Sequence, residues 1–243
     1  MKTIGVLGGM SSVASAEYYR RINEGVNAHR GGHCAAEVVL YSVDFGLIEG
    51  FIREERWDQA ADYLAERTHR LELAGADFVI MATNTMHRVF AELQDAVGIP
   101  VIHIVDPTAD AAIAVGAKTL GLLGTSPVME AEFYRGRFAD HGIEVLVPSE
   151  PDRALVHRVI FEELTHGVTH DHSRQEYQRI MGDLVARGAQ GIVLGCTEIS
   201  LLVSAGAMPG MVLFDTTALH VDRAVSISLG LHPLGTEPLS QVV

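Results

Sequence analysis

Cysteine is scarce in this chain: 243 residues carry two, Cys34 and Cys196. Two thiols build no disulfide framework, and the count suits a reducing compartment. Basic residues are also few, with 18 Lys and Arg against 31 Asp and Glu for a net charge of −13. Phosphate binding needs clustered Lys and Arg, so nucleic acid and anionic membrane are excluded as partners. An anionic small substrate is not excluded, because a single site can be locally positive. No apolar run approaches the ~20 residues that span a bilayer. The N-terminus enters a strand at Thr3 without the charged region, apolar core and cleavage site of a signal peptide, which makes a cytoplasmic location the expectation. Low-complexity segments and long linkers are missing as well. Gly8-Gly9-Met10-Ser11 is not GxGxxG, so a dinucleotide fingerprint is weak at best.

What is present is an ordinary globular composition, 48% apolar and 20% charged, in which strand and helix patterns alternate. That alternation predicts parallel sheets with helices on their faces. The strands read as Thr3–Leu7, Glu37–Val43 and a run ending at Ala82 in one half. Those of the other half read as Val101–Val105, Thr119–Gly124, Glu144–Val147 and Gly191–Leu194. One more strand, Met211–Phe214, is expected to return to the first sheet. Helices are expected from about Arg153 to Leu164, from Ser173 to Ala186 and from Thr217.

The chain also repeats itself. Leu71 through Thr85 aligns without gaps on Leu184 through Glu198, with Gly75 on Gly188, Ala76 on Ala189 and Thr83 on Cys196. Thr3–Gly9 matches Thr119–Thr125, and Ala16–Arg20 matches Ala131–Arg135. An offset of roughly 115 residues marks one long duplication rather than a short-period solenoid. Two α/β domains follow, expected at 1–100 plus 208–243 and at 101–207. Two such halves facing each other bring Thr83 and Cys196 to opposite sides of one cleft.

Cys196 sits where Ile192-Val193-Leu194 ends and Gly195 lets the backbone turn, with Thr197 and Glu198 as first-turn residues of a following helix. Parallel-sheet proteins place ligands beyond the carboxyl ends of their strands. Helix-starting N–H groups there favour an anion, which gives Cys196 a reason to be a thiolate. Taken alone, the segment fits a buried structural cysteine equally well. Thr83, Asn84 and Thr85 open the corresponding helix of the first half, where their side chains also read as caps. Arg53 and Arg56 precede an amphipathic helix with Trp57, Ala60, Ala61, Leu64 and Leu71 on its apolar face, and a solvated helix start explains both arginines better than a substrate role. The loop from Thr165 to His172 holds His166, His170, His172 and Asp171, but its spacing fits no standard ligand pattern, and no metal site is expected. Cys34, in a Gly-rich turn, reads as incidental.

Gly8-Gly9-Met10-Ser11, the Asn-Thr-Met-His of residues 84–87, Gly124-Thr125 and Leu194-Gly195-Cys196-Thr197-Glu198 occur in this order across the duplication. With these motifs the chain resembles the cofactor-independent aspartate/glutamate racemase family over nearly its whole length. The resemblance implies two pseudo-symmetric α/β domains with mainly parallel sheets and the active site in the cleft between them. It implies a small amino-acid substrate, no cofactor, and a homodimer as one assembly that relatives adopt. In that family one cysteine from each domain removes or returns the α-proton, on opposite faces of the substrate. Cys196 and Thr83 fall on those catalytic positions. Met10, Ser11, Asn84, Thr85, Thr125, Thr197 and Glu198 fall on substrate-binding ones.

The chemistry agrees with this. Inverting a stereocentre needs a proton donor and acceptor on each face, and a thiol with a pKa near ~8.5 serves as either. No PLP-type lysine motif is evident, so the carbanion needs hydrogen bonds to the substrate carboxylate. Thr83 departs from the two-cysteine pattern, resembling an L-aspartate/glutamate-specific subgroup. Its hydroxyl, with a pKa near the ~15.7 of water, is a poor base that relays a proton or holds a water. Ser12-Val13 and Ile52 depart from the family's usual residues and bear on side-chain specificity. The alternatives are a single-cysteine decarboxylase of the same superfamily, in which Cys196 protonates a carbanion made by CO₂ loss, and a catalytically silent amino-acid-binding module.

Overall fold

Strand and helix alternate along the chain as the hydrophobic pattern requires. The computed structural model describes residues 1–203 and 210–234. From the N-terminus come β1 (Ile4–Gly8), α1 (Ser12–Arg30), β2 (Val38–Ser42), α2 (Phe45–Arg53), α3 (Trp57–Leu73), β3 (Phe78–Met81), a 3₁₀ turn at Thr85–Val89, α4 (Phe90–Asp95) and β4 (Val101–Ile102). These strands form one parallel sheet in the order β2-β1-β3-β4. Every residue of β1 and β3 is buried, as befits strands covered by helices on both faces. On one face, Ala60, Ala61, Leu64 and Leu71 of α3 join Ile48 and Phe51 of α2 and Leu93 of α4 in a single apolar cluster. On the other, Tyr18, Ile22 and Val26 of α1 repeat at the helical interval and pack on Ile4, Val6, Phe78 and Ile80. Fully burying one such aliphatic side chain stabilises by ~1.5–3 kcal/mol.

The second run repeats the plan with α5 (Val105–Ala114), β5 (Thr119–Gly124), α6 (Ser126–Glu130), α7 (Glu132–Asp140), β6 (Glu144–Leu146), α8 (Glu150–Glu162), a 3₁₀ turn at Leu164–His166, α9 (Asp171–Ala186), β7 (Gly191–Gly195), α10 (Ile199–Leu202), β8 (Val212–Asp215) and α11 (Thr216–Ser228). Its sheet is parallel in the order β6-β5-β7-β8. Strand for strand this is the order of the first sheet, as a duplication demands. β7 is buried throughout, and Tyr134, Phe138, Tyr177, Ile180 and Leu184 are buried on the helices around it.

Two expectations about strand placement are overturned. Val101–Ile102 does not open the second half: as β4 it pairs with β3, Val79 opposite Val101. The reason lies in the connection, where Gln94 accepts from Val101 N–H at 2.8 Å and donates to Ile99 C=O at 3.1 Å, holding the chain beside β3. Nor does the strand near Met211–Phe214 return to the first sheet: as β8 it pairs with β7. Gly191 makes room for it, since a Cβ there would lie 2.5 Å from the ring of Phe214. The units accordingly run Met1–Ile104 with the chain from His220 onward, and Val105–Leu219. The boundary falls inside α11, whose Val221, Ala224, Val225 and Ile227 belong to the first unit's core. The expected divisions at 100 and 207 are displaced, and residues 204–209 lie outside the described residues.

Candidate active site

In the first unit two neighbouring strand ends carry the expected residues. After β1, Gly9 adopts φ +92, and a Cβ there would lie 2.3 Å from the Val43 N and O atoms, so only glycine fits. Its N–H donates to Ser15 Oγ at 2.7 Å, and the Ser15 hydroxyl donates to Ser11 C=O at 2.8 Å. Ser11 Oγ accepts from Ala14 N–H at 3.2 Å, capping α1. Met10 turns into the apolar cluster and is 7% exposed. On the adjacent strand Ala82 N–H donates to Leu7 C=O at 2.9 Å, continuing the pairing to the start of the Thr83-Asn84-Thr85 turn. Asn84 is buried, while Thr83 and Thr85 are half-buried.

The second unit builds the equivalent corner. Thr125 follows β5 at the N-cap of α6 and is buried; its carbonyl accepts from Met129 N–H at 3.0 Å. Ser126 N–H donates to His157 Nδ1 at 3.1 Å. Burial holds His157 below its usual pKa although Glu130 pulls it up, which keeps the accepting nitrogen neutral. After β7 come half-buried Cys196 and Thr197 and buried Glu198. The Cys196 thiol donates to Glu198 Oε2 at 3.1 Å. Desolvation of the sulfur, then the Glu198 charge and its hydrogen bond, push the thiol well above its ordinary pKa.

The reason for a thiolate that the turn offers, N–H groups at a helix start, is therefore outweighed by burial and by Glu198. The physical reason is the helix: α10 has four residues, Ile199–Leu202, and begins only after Glu198, so its dipole is too small to offset a carboxylate in contact with the sulfur.

Several groups at this corner carry no signal in the sequence motifs. Thr217 Oγ1 donates to Thr197 Oγ1 at 3.2 Å, and Thr216 Oγ1 donates to Leu194 C=O at 2.9 Å. Both follow β8, and the Asp-Thr-Thr run after an apolar strand was the available clue. Tyr177 is fully buried and donates to Val156 C=O at 3.0 Å. Burial first, then the electrostatic influence of Cys196 and Glu163, raises its pKa, which puts its phenol within electrostatic reach of the thiol. Glu163 in turn accepts from Ser173 Oγ at 2.7 Å.

Other candidates lie elsewhere. Arg53 ends α2, mostly exposed, and is paired with Glu49 and Glu54. Arg56 pairs with Glu54 and lies over the Phe51 ring. Ile52 packs against the first unit's core. His166, His170 and His172 are exposed, and among the described residues no three His, Cys, Asp or Glu side chains converge as metal ligands. Among the same residues no helix is long and apolar enough to cross a membrane. Lys2 and Lys118, the chain's only lysines, precede β1 and β5, at the opposite ends of those strands from the turns described above.

Two parallel sheets of one strand order, with hydroxyl, amide and thiol groups at the carboxyl ends of their middle strands, define a duplicated α/β protein equipped for acid–base chemistry. The chain belongs to the Asp/Glu/Hydantoin racemase family, whose model matches residues 7–224. A crystal structure from Yersinia pestis, assigned as an Asp/Glu racemase, is similar at 44% identity and a TM-score of 0.89, covering 94% of this chain and 100% of that one. An aspartate racemase homologue from Pyrococcus horikoshii OT3 is similar at 29% identity and a TM-score of 0.82, with the same coverage. The broad specificity amino-acid racemase RacX of Bacillus subtilis is 25% identical over 149 residues, 60% of this chain and 63% of that protein. The chain thus spans just over three fifths of the length of that curated relative.

Proposed function

We propose that the protein is a cofactor-independent amino-acid racemase acting on L-aspartate, L-glutamate or a related amino acid. The observation that carries the reading is the Cys196–Glu198 pair at the end of β7, on the duplicated counterpart of the Thr83 turn at the end of β3. A base is generated there when Glu198 takes the thiol proton; the thiolate then removes the α-proton of the L-substrate. Two proton acceptors in contact let one site switch between acid and base. Negative charge on the planar intermediate is drawn into the substrate carboxylate and met by Asn84, Thr85, Thr125, Thr197 and the N–H groups of the strand-end turns. The reading requires the two turns to meet the substrate from opposite faces, with the Thr83 hydroxyl or a water it holds returning the proton. Support for chemistry without PLP comes from the position of Lys2 and Lys118, at the ends of the strands where no candidate residue lies.

The protonated resting thiol favours a second reading. A lone acid at Cys196 suffices for a decarboxylase, which needs to protonate one carbanion on one face. A panel of L- and D-amino acids and substituted malonates, assayed by chiral chromatography without PLP or metal and with EDTA, separates the two. Racemisation of L-aspartate or L-glutamate, unaffected by EDTA, is the expected result. Turnover of malonates alone moves the assignment to the decarboxylase, and binding without turnover to a silent module.

A further inference from the structure

We propose that His87 is a positioning residue for Thr83, its neutral imidazole holding the first unit's proton-transfer turn through two backbone hydrogen bonds. The inference rests on the racemase reading, in which Thr83 handles the proton on one face of the substrate.

His87 lies in the 3₁₀ turn after β3 and is 2% exposed. Ile104 N–H donates to its Nε2 at 3.1 Å. A backbone N–H can only donate, so Nε2 presents a lone pair. The proton of the neutral ring is then on Nδ1, which donates to Thr83 C=O at 2.8 Å. One ring therefore ties the carbonyl of Thr83 to an amide 17 positions away from His87 in the chain. Thr83 N–H is fixed as well, donating to Met81 C=O at 2.9 Å. With both backbone groups held, a β-branched side chain has little left to choose beyond one stiff χ1.

The ring itself is packed. Phe90 stacks on it with centroids 6.2 Å apart and planes 10° apart, and His103 meets it edge-on at 4.6 Å. His220 of α11 stands at 6.0 Å. His220 Nε2 donates to Ile102 C=O at 3.0 Å, and its Nδ1 accepts from the Tyr18 hydroxyl at 3.0 Å. His103 and His220 are thus titratable groups packed directly on His87, and Tyr18 reaches it only through His220. A phenyl ring would fill the same space; what imidazole adds is the pair of directed bonds.

The test uses the whole protein with L-substrate in D₂O. Deuterium returned with retention needs Cys196 alone, while deuterium returned with inversion also needs the Thr83 side. His87→Gln keeps an acceptor for Ile104 N–H and loses the bond to Thr83 C=O; its ratio of inversion to retention should fall about tenfold or more, the scale of effect that a displaced catalytic group produces. His87→Asn places an amide N–H where Nδ1 was, and should keep the ratio close to that of the unmodified protein. An unchanged ratio in His87→Gln, or equal loss of retention and inversion in both variants, overturns the inference and leaves the racemase reading standing. Exchange with no amino acid in the unmodified protein overturns both. Should neither variant fold, ¹⁵N-histidine NMR of the unmodified protein at neutral pH decides: the Nδ1–H tautomer is expected, and a charged or Nε2–H ring at His87 overturns the inference.

Discussion

A thiol that donates to a carboxylate is an acid at rest, and this decides how substitutions at the two strand ends should behave. Cys196→Ser keeps the shape and removes the thiol, so α-proton exchange of the L-substrate in D₂O should vanish. Glu198→Gln removes the charge and the proton acceptor together. Two of the causes that raise the thiol pKa disappear, so alkylation of Cys196 should begin at lower pH, measured in a Cys34→Ser background. Racemisation should nonetheless fall by about 10²-fold, because the thiol proton has lost its acceptor. A Glu198 that only bound the substrate would raise KM and leave kcat alone. Thr83→Cys restores a paired-thiol arrangement and should raise turnover of the D-enantiomer. That Thr83 and Cys196 follow equivalent strands, β3 and β7, was legible because the duplication aligns them. The protonation of Cys196 was not, because it depends on desolvation and on the reach of Glu198 back to the sulfur.

At the scale of elements, tight backbone approaches decide more than helix or strand preference. Gly9 is one such point: alanine there meets the Val43 backbone and takes a left-handed conformation. Gly9→Ala should lose at least ~2 kcal/mol in urea melts, since the left-handed penalty alone is ~1–2 kcal/mol. The buried strands β1, β3, β5 and β7 were readable within a residue or two, being apolar runs bounded by glycine and polar turns. β4 and β8 were readable as strands and misplaced between sheets. β8 has a single buried residue, Phe214, and such a pattern suits the edge of either sheet. What selects the edge is the space beside Gly191, a tertiary fact with no signal in the strand itself. The duplication carried the answer in another form, since β4 and β8 occupy the same place in their repeats. His87 and Thr217 escaped for a related reason: they act on backbone and hydroxyl groups brought close only by the fold.

For the molecule as a whole, the shifted groups predict a stability plateau with an acid limb and an alkaline limb. Folding lowers the pKa of His157, so the folded state prefers it neutral. Stability should decline as pH falls below the unfolded value of ~6.5, because the unfolded chain binds that proton more readily. Glu17, held at about 2 first by its hydrogen bond to Arg20, adds a smaller loss between ~4.3 and about 2, muted because the pair is largely solvated. The alkaline side has the opposite sign. Cys196 is raised, so the folded state holds a proton that the unfolded chain releases above ~8.5. Stability should fall from that pH upward, at no more than ~1.4 kcal/mol per pH unit for one group. Tyr177, also raised, contributes only above ~10, where the unfolded phenol ionises. The two are therefore separable by pH. Urea melts of the unmodified protein and of Cys196→Ser, taken from about pH 6 to about one unit above the ~10 at which the unfolded phenol ionises, provide the check. The decline between ~8.5 and ~10 should disappear in Cys196→Ser, while the Tyr177 limb above it remains. A decline of the same slope in both proteins would mean that the Cys196 thiol does not titrate differently on folding, and the assignment of Glu198 as the group that holds its proton would fall with it.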